Sequence, residues 1–352
     1  MVTFLPSRPG RLADVPSFDR AIGGAESNVA CGLAAAGHAV RWVSRVGADG
    51  FGDHLVETVG GYGVDTSAVG RDPSRPTGVY FRTAGDRATD AHEVAYYRAG
   101  SAASAMSVEN VDLSAVRAGR VLHLSGITAA LSHDCLGLLR ELTAPRAGRP
   151  VVSFDVNHRA GLWRDAEGPR VLLELARQAD IVFVGEDEAE EAWGVTGGPA
   201  AIRAVLPEPS VLVVKQGGKG ATALVSGAGG RGLGAQFPAP LGRFRSPQGE
   251  TPPSSTFVPA LSVDVVATTG AGDAFAAGFL SASLRELPLR DRLRHGHLWA
   301  AAALTAPGDL AAPPARAHAD RLAAVGDDTW GTLRLGPGWT QADRAPEEVS
   351  TP

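Results

Sequence analysis

Short runs of apolar and β-branched residues alternate with helix-like segments along most of the chain. Such alternation predicts a parallel sheet covered by helices. Several runs hold successive apolar residues rather than one in two, as expected of strands that are buried on both faces. The predicted strands span 39–47, 121–126, 151–157, 181–184 and 211–217, and the helix-like segments include 135–142, 168–177 and 186–193.

Two stretches depart from this pattern. Residues 77–83 (TGVYFRT) and 92–98 (HEVAYYR) alternate in the manner of strands with one face in water. We interpret them as parts of a small β-lid outside the main sheet. Side chains two positions apart share a face, so Tyr96 and Arg98 would point the same way and suit a polar, anionic ligand. An ordinary solvated edge strand fits the same pattern.

The predicted organisation is a single domain over residues 1–330, with lid segments near 8–22 and 75–100. Residues 226–254 are rich in glycine and proline and are predicted to form a surface insertion between strands. Residues 336–352 are polar and are predicted to form a loose tail.

The first residues of the chain also look strand-like. Residues 2–5 (VTFL) resemble the end of a main-sheet strand whose first half is missing, and four residues are few for a central strand. Either the true start lies upstream or the fold tolerates the loss.

Composition narrows the range of partners. Charged residues make up 20% of the 352, hydrophobic residues 44%, and the net charge is −5, so we expect a small-molecule ligand and no nucleic acid. The chain has no run of about 18 apolar residues and no secretion signal, which indicates neither a membrane span nor export. Cys31 and Cys135 lie far apart in apolar surroundings, which favours reduced, buried thiols in a cytoplasmic protein.

The strongest chemical signal is ATTGAGDAF, residues 267–275, which follows a strand-like run at 262–266 and leads into a helix. Gly270 and Gly272 let the backbone turn and approach a ligand, and the free N–H groups of the helix start form an anion hole. Asp273 in the first turn would take a proton from an alcohol while the amides stabilise a phosphoryl group. The alternative is that Asp273 is only a favourable charge at a helix start.

Polar residues also follow other predicted elements. Asn28 lies in the first turns of an amphipathic helix after Gly24, and its amide suits a pair of sugar hydroxyls, although surface or capping roles are commoner for such a residue. A buried strand ends in Asp155, Asn157 and Arg159, at the carboxyl end where open α/β sheets bind ligands.

Two further segments suit phosphates or a metal. Glu188 lies at an acidic helix start, where it either complements the helix dipole or holds Mg²⁺ through water. Lys215 ends a strand before Gly217 and Gly220, a pattern suited to a nucleotide phosphate or to a β-turn.

In this order, the segments resemble the ribokinase-like (PfkB) carbohydrate kinases over roughly residues 8–325. GGAESN (23–28) is similar to the N-terminal glycine-rich signature of that family, and TTGAGDAFAAGF (268–279) to the C-terminal one. Within the family, YYRAGSA (96–102) and SFDVNHRAGLW (153–163) are most similar to 2-keto-3-deoxygluconate kinases. The resemblance implies a three-layer α/β/α sandwich with a mainly parallel central sheet and a small β-sheet lid.

The resemblance also implies roles for the matching positions. Asp273 would be the general base, and the amides of Ala271, Gly272 and Asp273, in the loop that Gly270 begins, would form the anion hole. The implied substrate-binding residues are Gly24, Asn28, Tyr80, Tyr96, Arg98, Asn157 and Arg159, with the arginines on the carboxylate of a 2-keto acid. The implied nucleotide-binding residues are Lys215, Gly217, Gly220 and Gly308, and Asp309 falls where the adenine pocket closes.

Two positions depart from the family pattern. Ala267 stands where family members usually have an aspartate that is thought to serve the cation near the phosphates. The family's Asn-x-x-Glu motif begins here with Gly185 and keeps Glu188. The implied cofactors are ATP and Mg²⁺, with Glu188 reaching the metal through water, and Ala267 calls a monovalent cation (K⁺) into question.

The leading interpretation is an ATP-dependent kinase that phosphorylates the 6-hydroxyl of 2-keto-3-deoxygluconate. A fructokinase or another sugar kinase of the same fold is the enzymatic alternative, but a hexose lacks the carboxylate that Arg98 and Arg159 would bind. A second alternative is a catalytically weakened relative that binds sugar acid or nucleotide. A nicotinamide dehydrogenase is disfavoured because a GxGxxG motif in a first βαβ unit is missing. We also expect self-association through the lid.

Overall fold

The computed structural model describes residues 1–83, 93–163, 166–226 and 254–341. In chain order, its strands are β1 (Val2–Pro6), β2 (Phe18–Ile22), β3 (Ser44–Gly47), β4 (Val69–Asp72), β5 (Val79–Arg82), β6 (Val94–Tyr97), β7 (Val121–Ser125), β8 (Val151–Asp155), β9 (Ile181–Gly185), β10 (Val211–Lys215), β11 (Gly220–Val225), β12 (Ser254–Pro259), β13 (Ser262–Val263) and β14 (Arg334–Leu335). Its α-helices are α1 (Ala25–Ala35), α2 (Gly50–Gly61), α3 (Leu113–Arg117), α4 (Gly126–Ala129), α5 (His133–Thr143), α6 (Gly168–Gln178), α7 (Glu186–Trp193), α8 (Gly198–Val205), α9 (Ala271–Leu284), α10 (Leu289–Leu304), α11 (Arg316–Ala323) and α12 (Asp327–Thr332).

Six strands form the central sheet, in the order β12-β11-β10-β9-β8-β7. Strands β7 to β10 run parallel, and β11 and β12 complete the sheet as antiparallel strands. The predicted strands at 121–126, 151–157, 181–184 and 211–217 are therefore confirmed. Their carboxyl ends lie together, at the end of the sheet where ligands of open α/β folds bind.

Alternate side chains of the central strands enter two separate cores. Phe183 on β9 packs with α1, α9 and α10, and its ring meets that of Phe279 edge-on, with centroids 5.4 Å apart. Its neighbours Val182 and Val184 pack on the other face of the sheet, against α5, α6 and α8. Helices thus cover both faces, which confirms the predicted three-layer α/β/α sandwich.

Three predicted strands have different partners from those expected. Residues 2–5 do not join the central sheet: β1 pairs with β2 and β5 instead. Within 39–47, only β3 is a strand, and it pairs with β4 in a separate parallel pair. Within 262–266, only β13 is a strand, and it pairs with β14. An apolar run predicts that a segment is buried, but it does not choose the strand with which the segment pairs.

A four-stranded sheet in the order β2-β1-β5-β6 confirms the predicted β-lid and adds β1 to it. Tyr80 lies opposite Tyr96, so these two side chains share one face of the lid. Phe4 and Phe81 lie on the other face with their rings stacked 4.6 Å apart, and Tyr97 meets Phe81 edge-on. We call these two the tyrosine face and the phenylalanine face.

The predicted insertion and tail lie only partly within the described residues. Ser254, at the end of the predicted insertion, already belongs to β12, and residues 227–253 lie outside the described part. The core continues past residue 330, because β14 extends it and Trp339 is buried against it. The expectation of a loose tail from residue 336 is therefore wrong for its first part, and residues 342–352 lie outside the description.

Two smaller expectations concern thiols and membranes. Cys31 and Cys135 are buried and unpaired, as predicted. In the part of the chain that the structure describes, no helix has the length and apolar character needed to cross a membrane.

Candidate active site

The start of α9 leaves backbone amides without helical hydrogen bonds, as any helix start does. Gly270 precedes the helix with φ +81°, and a Cβ at this position would overlap the carbonyl oxygen of Asp309. Only glycine fits such a backbone without strain. The first helical hydrogen bond runs from the N–H of Ala274 to the oxygen of Gly270, at 2.9 Å. The amides of the preceding residues, from Ala271 to Asp273, remain available to an anion.

Asn28 and Asp273 meet because α1 and α9 pack closely. A Cβ on Gly32 of α1 would lie 3.2 Å from the Cβ of Ala277 on α9, so the glycine permits the approach. Asn28 lies one turn before Gly32, and Asp273 lies one turn before Ala277. The same helix contact therefore brings the two polar side chains together. The Nδ2 of Asn28 donates to Oδ2 of Asp273 at 2.8 Å.

The pKa of Asp273 is raised to about 7. Burial is the main cause, since desolvation disfavours the ionised carboxylate, and the charges of Asp155 and Glu26 raise the pKa further. The hydrogen bond from Asn28 and the charge of Lys215 act in the opposite direction. Near neutral pH the carboxyl group is thus divided between its two forms, as suits a group that accepts a proton and later releases it.

Lys215 and Asp155 form an ion pair at the carboxyl end of the sheet. The Nζ of Lys215, the last residue of β10, lies 3.0 and 3.2 Å from the two carboxylate oxygens of Asp155, the last residue of β8. Burial by itself would lower the pKa of Lys215, but the charges of Asp155 and Glu188 raise it, so the ammonium group stays protonated. It lies 3.5 Å from the point where Gly272 would carry a Cβ.

Tyr80 and Asp309 have partners that the resemblance did not imply. Tyr80 is buried in the lid, and its hydroxyl donates to Oδ2 of Asp309. Arg82, two residues further along β5, forms an ion pair with the other oxygen of Asp309 at 3.1 Å. Asp309 also lies against the backbone at Gly270, and its expected place where the adenine pocket closes stays a prediction. A buried carboxylate needs such partners, and the lid supplies them.

Arg98 and Arg159 are placed differently from each other. The guanidinium of Arg98 lies over the ring of Tyr96, 4.2 Å from its centroid, which confirms that the two share a face. Burial lowers the pKa of Arg98, and the positive charge of Arg159 lowers it further. Arg159 is more exposed, and its guanidinium lies 3.3 Å from Glu188. The predicted metal residue Glu188 also accepts the N–H of Gly185 at 2.7 Å.

Two buried amide oxygens lack partners. Among the described residues, Oδ1 of Asn28 and Oδ1 of Asn157 have no hydrogen-bond donor. Asn157 follows β8 with φ +42°, a conformation that asparagine adopts more readily than most residues, and its N–H donates to Asp155. Buried polar atoms without partners are uncommon in folded proteins, so both oxygens are candidates for binding ligand hydroxyls.

The remaining predicted residues are glycines. Gly24 precedes α1 with φ +139°, and Gly217 (φ +56°) and Gly220 (φ +142°) turn the chain from β10 into β11. A Cβ on Gly220 would overlap the carbonyl oxygen of Val258 on β12, so the close approach of that strand accounts for this glycine. Gly308 precedes Asp309 in the segment beside Gly270. Their role in nucleotide binding stays a prediction.

The sequence analysis missed two charged residues beside the site. Arg82 belongs to the same run as Tyr80, and the rule that paired Tyr96 with Arg98 also puts these two on one face. Glu26 accepts a hydrogen bond from Thr128, and its charge reaches Asp273. At the start of α1 it has the pattern of a simple first-turn charge, so no sequence signal distinguished it.

Comparison with known proteins places this site in context. The sequence pattern of the pfkB family carbohydrate kinases matches residues 2–240 and 251–316. The chain is 32% identical over 320 residues to a 2-dehydro-3-deoxygluconokinase of Bacillus subtilis (strain 168), with 90% of each protein covered. It is 29% identical to a fructokinase of Escherichia coli, over 90% of this chain and 94% of that protein. A solved structure of a PfkB protein from Polaromonas sp. JS666 superposes with a TM-score of 0.73 at 31% identity, covering 91% of this chain and 96% of that chain.

Proposed function

The chain belongs to the pfkB family of carbohydrate kinases, and from this premise we propose that it transfers the γ-phosphoryl group of ATP to the 6-hydroxyl of 2-keto-3-deoxygluconate. The product would be 2-keto-3-deoxy-6-phosphogluconate. The similarity to a 2-dehydro-3-deoxygluconokinase supports this acceptor, and the similarity to a fructokinase supports the alternative, a neutral hexose. The position of Arg98 in the lid is the observation that favours the sugar acid as acceptor.

Arg98 has no ion-pair partner within the described ranges, although the charge of Glu26 acts on it and opposes the lowering of its pKa by burial. Its guanidinium stacks on Tyr96. A carboxylate bound against the tyrosine face of the lid would pair directly with this cation through charge-assisted hydrogen bonds. Arg159 contributes positive charge to the same region, since it lowers the pKa of Arg98. A neutral hexose would leave the half-buried cation unpaired, which is unfavourable.

Asp273 and the start of α9 provide the chemistry of the transfer. The carboxylate of Asp273 would accept the proton of the 6-hydroxyl, and the amides from Ala271 onwards would stabilise negative charge on the phosphoryl group. The unpartnered oxygens of Asn28 and Asn157 would accept hydrogen bonds from sugar hydroxyls.

ATP and Mg²⁺ belong to the same proposal. Mg²⁺ on the phosphates would neutralise part of their charge. Both oxygens of Glu188 already have partners, the N–H of Gly185 and the guanidinium of Arg159, so Glu188 would reach this ion only through a water molecule. Ala267 has no side-chain oxygen, so the proposal assigns it no part in binding K⁺.

A coupled assay of ADP release tests the proposed acceptor. Wild type is assayed with 2-keto-3-deoxygluconate, its galactonate epimer, fructose and ribose, and we expect the highest kcat/KM with a 2-keto sugar acid. A preference for fructose would replace the proposal with its alternative. Absence of turnover with any of them, in a folded protein, would favour a weakened relative.

Substitution of Arg98 tests whether this residue binds the carboxylate of the sugar acid. Arg98→Met should lower kcat/KM for the sugar acid by about 10- to 100-fold, since a hydrogen bond to a charged group contributes about 1.5–3 kcal/mol. Any residual activity with a neutral sugar should change little. Arg20→Met, the same substitution at an exposed site of the lid, is the control. Equal losses for acid and neutral sugars would make Arg98 a structural residue.

Self-association through the lid is the last part of the proposal. The phenylalanine face exposes Tyr97, which is 67% accessible, beside the stacked rings of Phe4 and Phe81. Aromatic surface of this kind is enriched at protein interfaces. Light scattering gives the molar mass of wild type and of Tyr97→Asp in solution. We expect wild type to be an oligomer and Tyr97→Asp to be a monomer. A monomeric wild type would contradict self-association through the lid.

A further inference from the structure

Lys215 was expected to bind the nucleotide, but this expectation does not explain why its ammonium group forms an ion pair with Asp155. An ammonium group has three N–H donors. Two of those on Lys215 are directed at the carboxylate oxygens of Asp155, at 3.0 and 3.2 Å. Among the residues that the structure describes, the third N–H has no hydrogen-bond partner. It is therefore free to bind a ligand oxygen.

The position of this ammonium group connects it with the anion hole. Gly272 has no side chain, and its missing Cβ would lie 3.5 Å from Nζ of Lys215. Gly272 therefore places no side chain between the ammonium group and the backbone amide that the glycine carries. An oxygen bound at this amide would also lie within reach of Lys215. The charges of Lys215 and Asp273 influence each other, which agrees with their facing the same small volume.

Asp155 explains why the lysine stays in this place. A free lysine side chain has several rotatable bonds and loses rotamer freedom when it is fixed. Asp155 is buried at the end of β8, two strands away from β10, and both of its oxygens hold the ammonium group. The cation is thus fixed before any ligand binds, and preorganised charges of this kind stabilise transition states most effectively.

We propose that Lys215 is a catalytic residue whose ammonium group neutralises the phosphoryl group during transfer, and that Asp155 is the positioning residue that holds it. In this step the O–H bond of the acceptor breaks and its proton passes to Asp273. The acceptor oxygen forms a bond to the γ-phosphorus, and the bond between that phosphorus and the bridging oxygen breaks. ADP leaves with the electron pair. The inference rests on the proposed kinase function, but it applies to any sugar acceptor.

Kinetics of Lys215→Met separate this role from simple nucleotide binding. The assay uses the sugar that wild type phosphorylates best. The result for Lys215 therefore does not depend on whether that sugar is the proposed acid, and the wild-type rates test the choice of acceptor separately. We expect kcat to fall on the order of 10²- to 10³-fold, the effect of removing one transition-state donor, while the Kd of ADP by calorimetry changes less than about threefold. Unchanged kcat with a weakened Kd of ADP would overturn the proposal.

Two matched variants control for charge and shape. Lys219→Met removes the exposed lysine of the same loop and should leave kcat within about twofold of wild type, because Lys219 lies away from Asp155 and pairs weakly with Glu186 at 3.8 Å. Lys215→Arg keeps the positive charge, although its planar group fits the site less well. Its kcat should be at least about tenfold higher than that of Lys215→Met. A Lys215→Arg variant no better than Lys215→Met would contradict a role for the charge.

A double-variant cycle tests the role of Asp155. Asp155→Asn should lower kcat about tenfold or more in wild type, because the ammonium group is no longer held. In the Lys215→Met background it should have little further effect, since the group that it positions is already gone. This double variant also restores charge balance in the buried site, so it remains informative if Lys215→Met alone folds poorly. Multiplicative losses in the two backgrounds would show that Asp155 does not act through Lys215.

Discussion

The contact between Asn28 and Asp273 allows a quantitative test of the proposed base. Asn28→Ala removes an N–H donor that lies 2.8 Å from Oδ2 of Asp273. A hydrogen bond to a charged group contributes about 1.5–3 kcal/mol, and one pKa unit corresponds to about 1.4 kcal/mol. Loss of this bond should therefore raise the pKa of Asp273 by about 1–2 units from its value of about 7. The ionised fraction at pH 7 would fall from about a half to about 1–10%.

The assay is the dependence of kcat/KM on pH between about 5 and 9, which reports groups of the free enzyme. Asp273 accepts a proton only when it is ionised, so kcat/KM should decrease as the pH falls through its pKa. In wild type this acid limb should lie near pH 7, and in Asn28→Ala it should move to higher pH. A weaker contact of Asn28 with sugar would lower the plateau of the profile but would not move its midpoint.

The control is Asn110→Ala, the same substitution at a residue whose amide donates to the oxygen of Ala105 at 2.7 Å, on the segment before α3. Its acid limb should coincide with that of wild type. The charges that face Asp273, those of Asp155, Glu26 and Lys215, are present in all three proteins. An unchanged limb in Asn28→Ala, or a limb shifted to lower pH, would refute the assignment of Asp273 as the titrating base.

Two further substitutions test the base and the cation. Asp273→Asn should lower kcat on the order of 10²- to 10⁴-fold with little change in the KM of the sugar, and retention of more than about a third of wild-type kcat would dismiss the base. Burial raises the pKa of Asp273 from 3.8 to about 7, so ionisation of this carboxyl destabilises the folded state above pH 7 but not below about pH 4. Asp273→Asn should therefore melt at a higher temperature than wild type at pH 8. At pH 4 the two proteins should melt at nearly the same temperature. Ala267→Asp should lower the Mg²⁺ or K⁺ concentration needed for half-maximal activity, because it adds a negative charge near the proposed phosphate site. Superimposable titration curves would show that position 267 does not serve the cation, and a dead wild type that aspartate restores would favour the weakened relative.

Much of the fold could be predicted from local patterns. Runs of successive apolar residues located the four parallel strands β7 to β10, because strands that are buried on both faces need apolar side chains at every position. The helix-like segments at 135–142, 168–177 and 186–193 became α5, α6 and α7 with ends shifted by two residues at most. The glycines around Asp273 likewise predicted the turn and helix start, since Gly270 adopts a conformation that other residues avoid.

Pairings between distant segments required the tertiary structure. β1 has the apolar character of a central strand, yet it joins the lid because β2 and β5 supply its partners. No sequence pattern around Asp309 indicates that its side chain contacts the lid. Only the fold brings it to Tyr80, which is 229 positions away in the chain.

The sequence by itself determined which chemical groups are present and on which elements they lie: a carboxylate at a helix start, a lysine at a strand end, and aromatic and basic residues on a lid. Their mutual distances were decided by packing. The contact of Gly32 with Ala277 brings Asn28 to Asp273 across 245 positions, and the order of the central sheet brings Lys215 to Asp155 across 60. The physical reason is that hydrophobic periodicity and backbone preference act over a few residues, whereas the pKa of Asp273 and the charge beside the anion hole depend on neighbours that only the folded chain assembles.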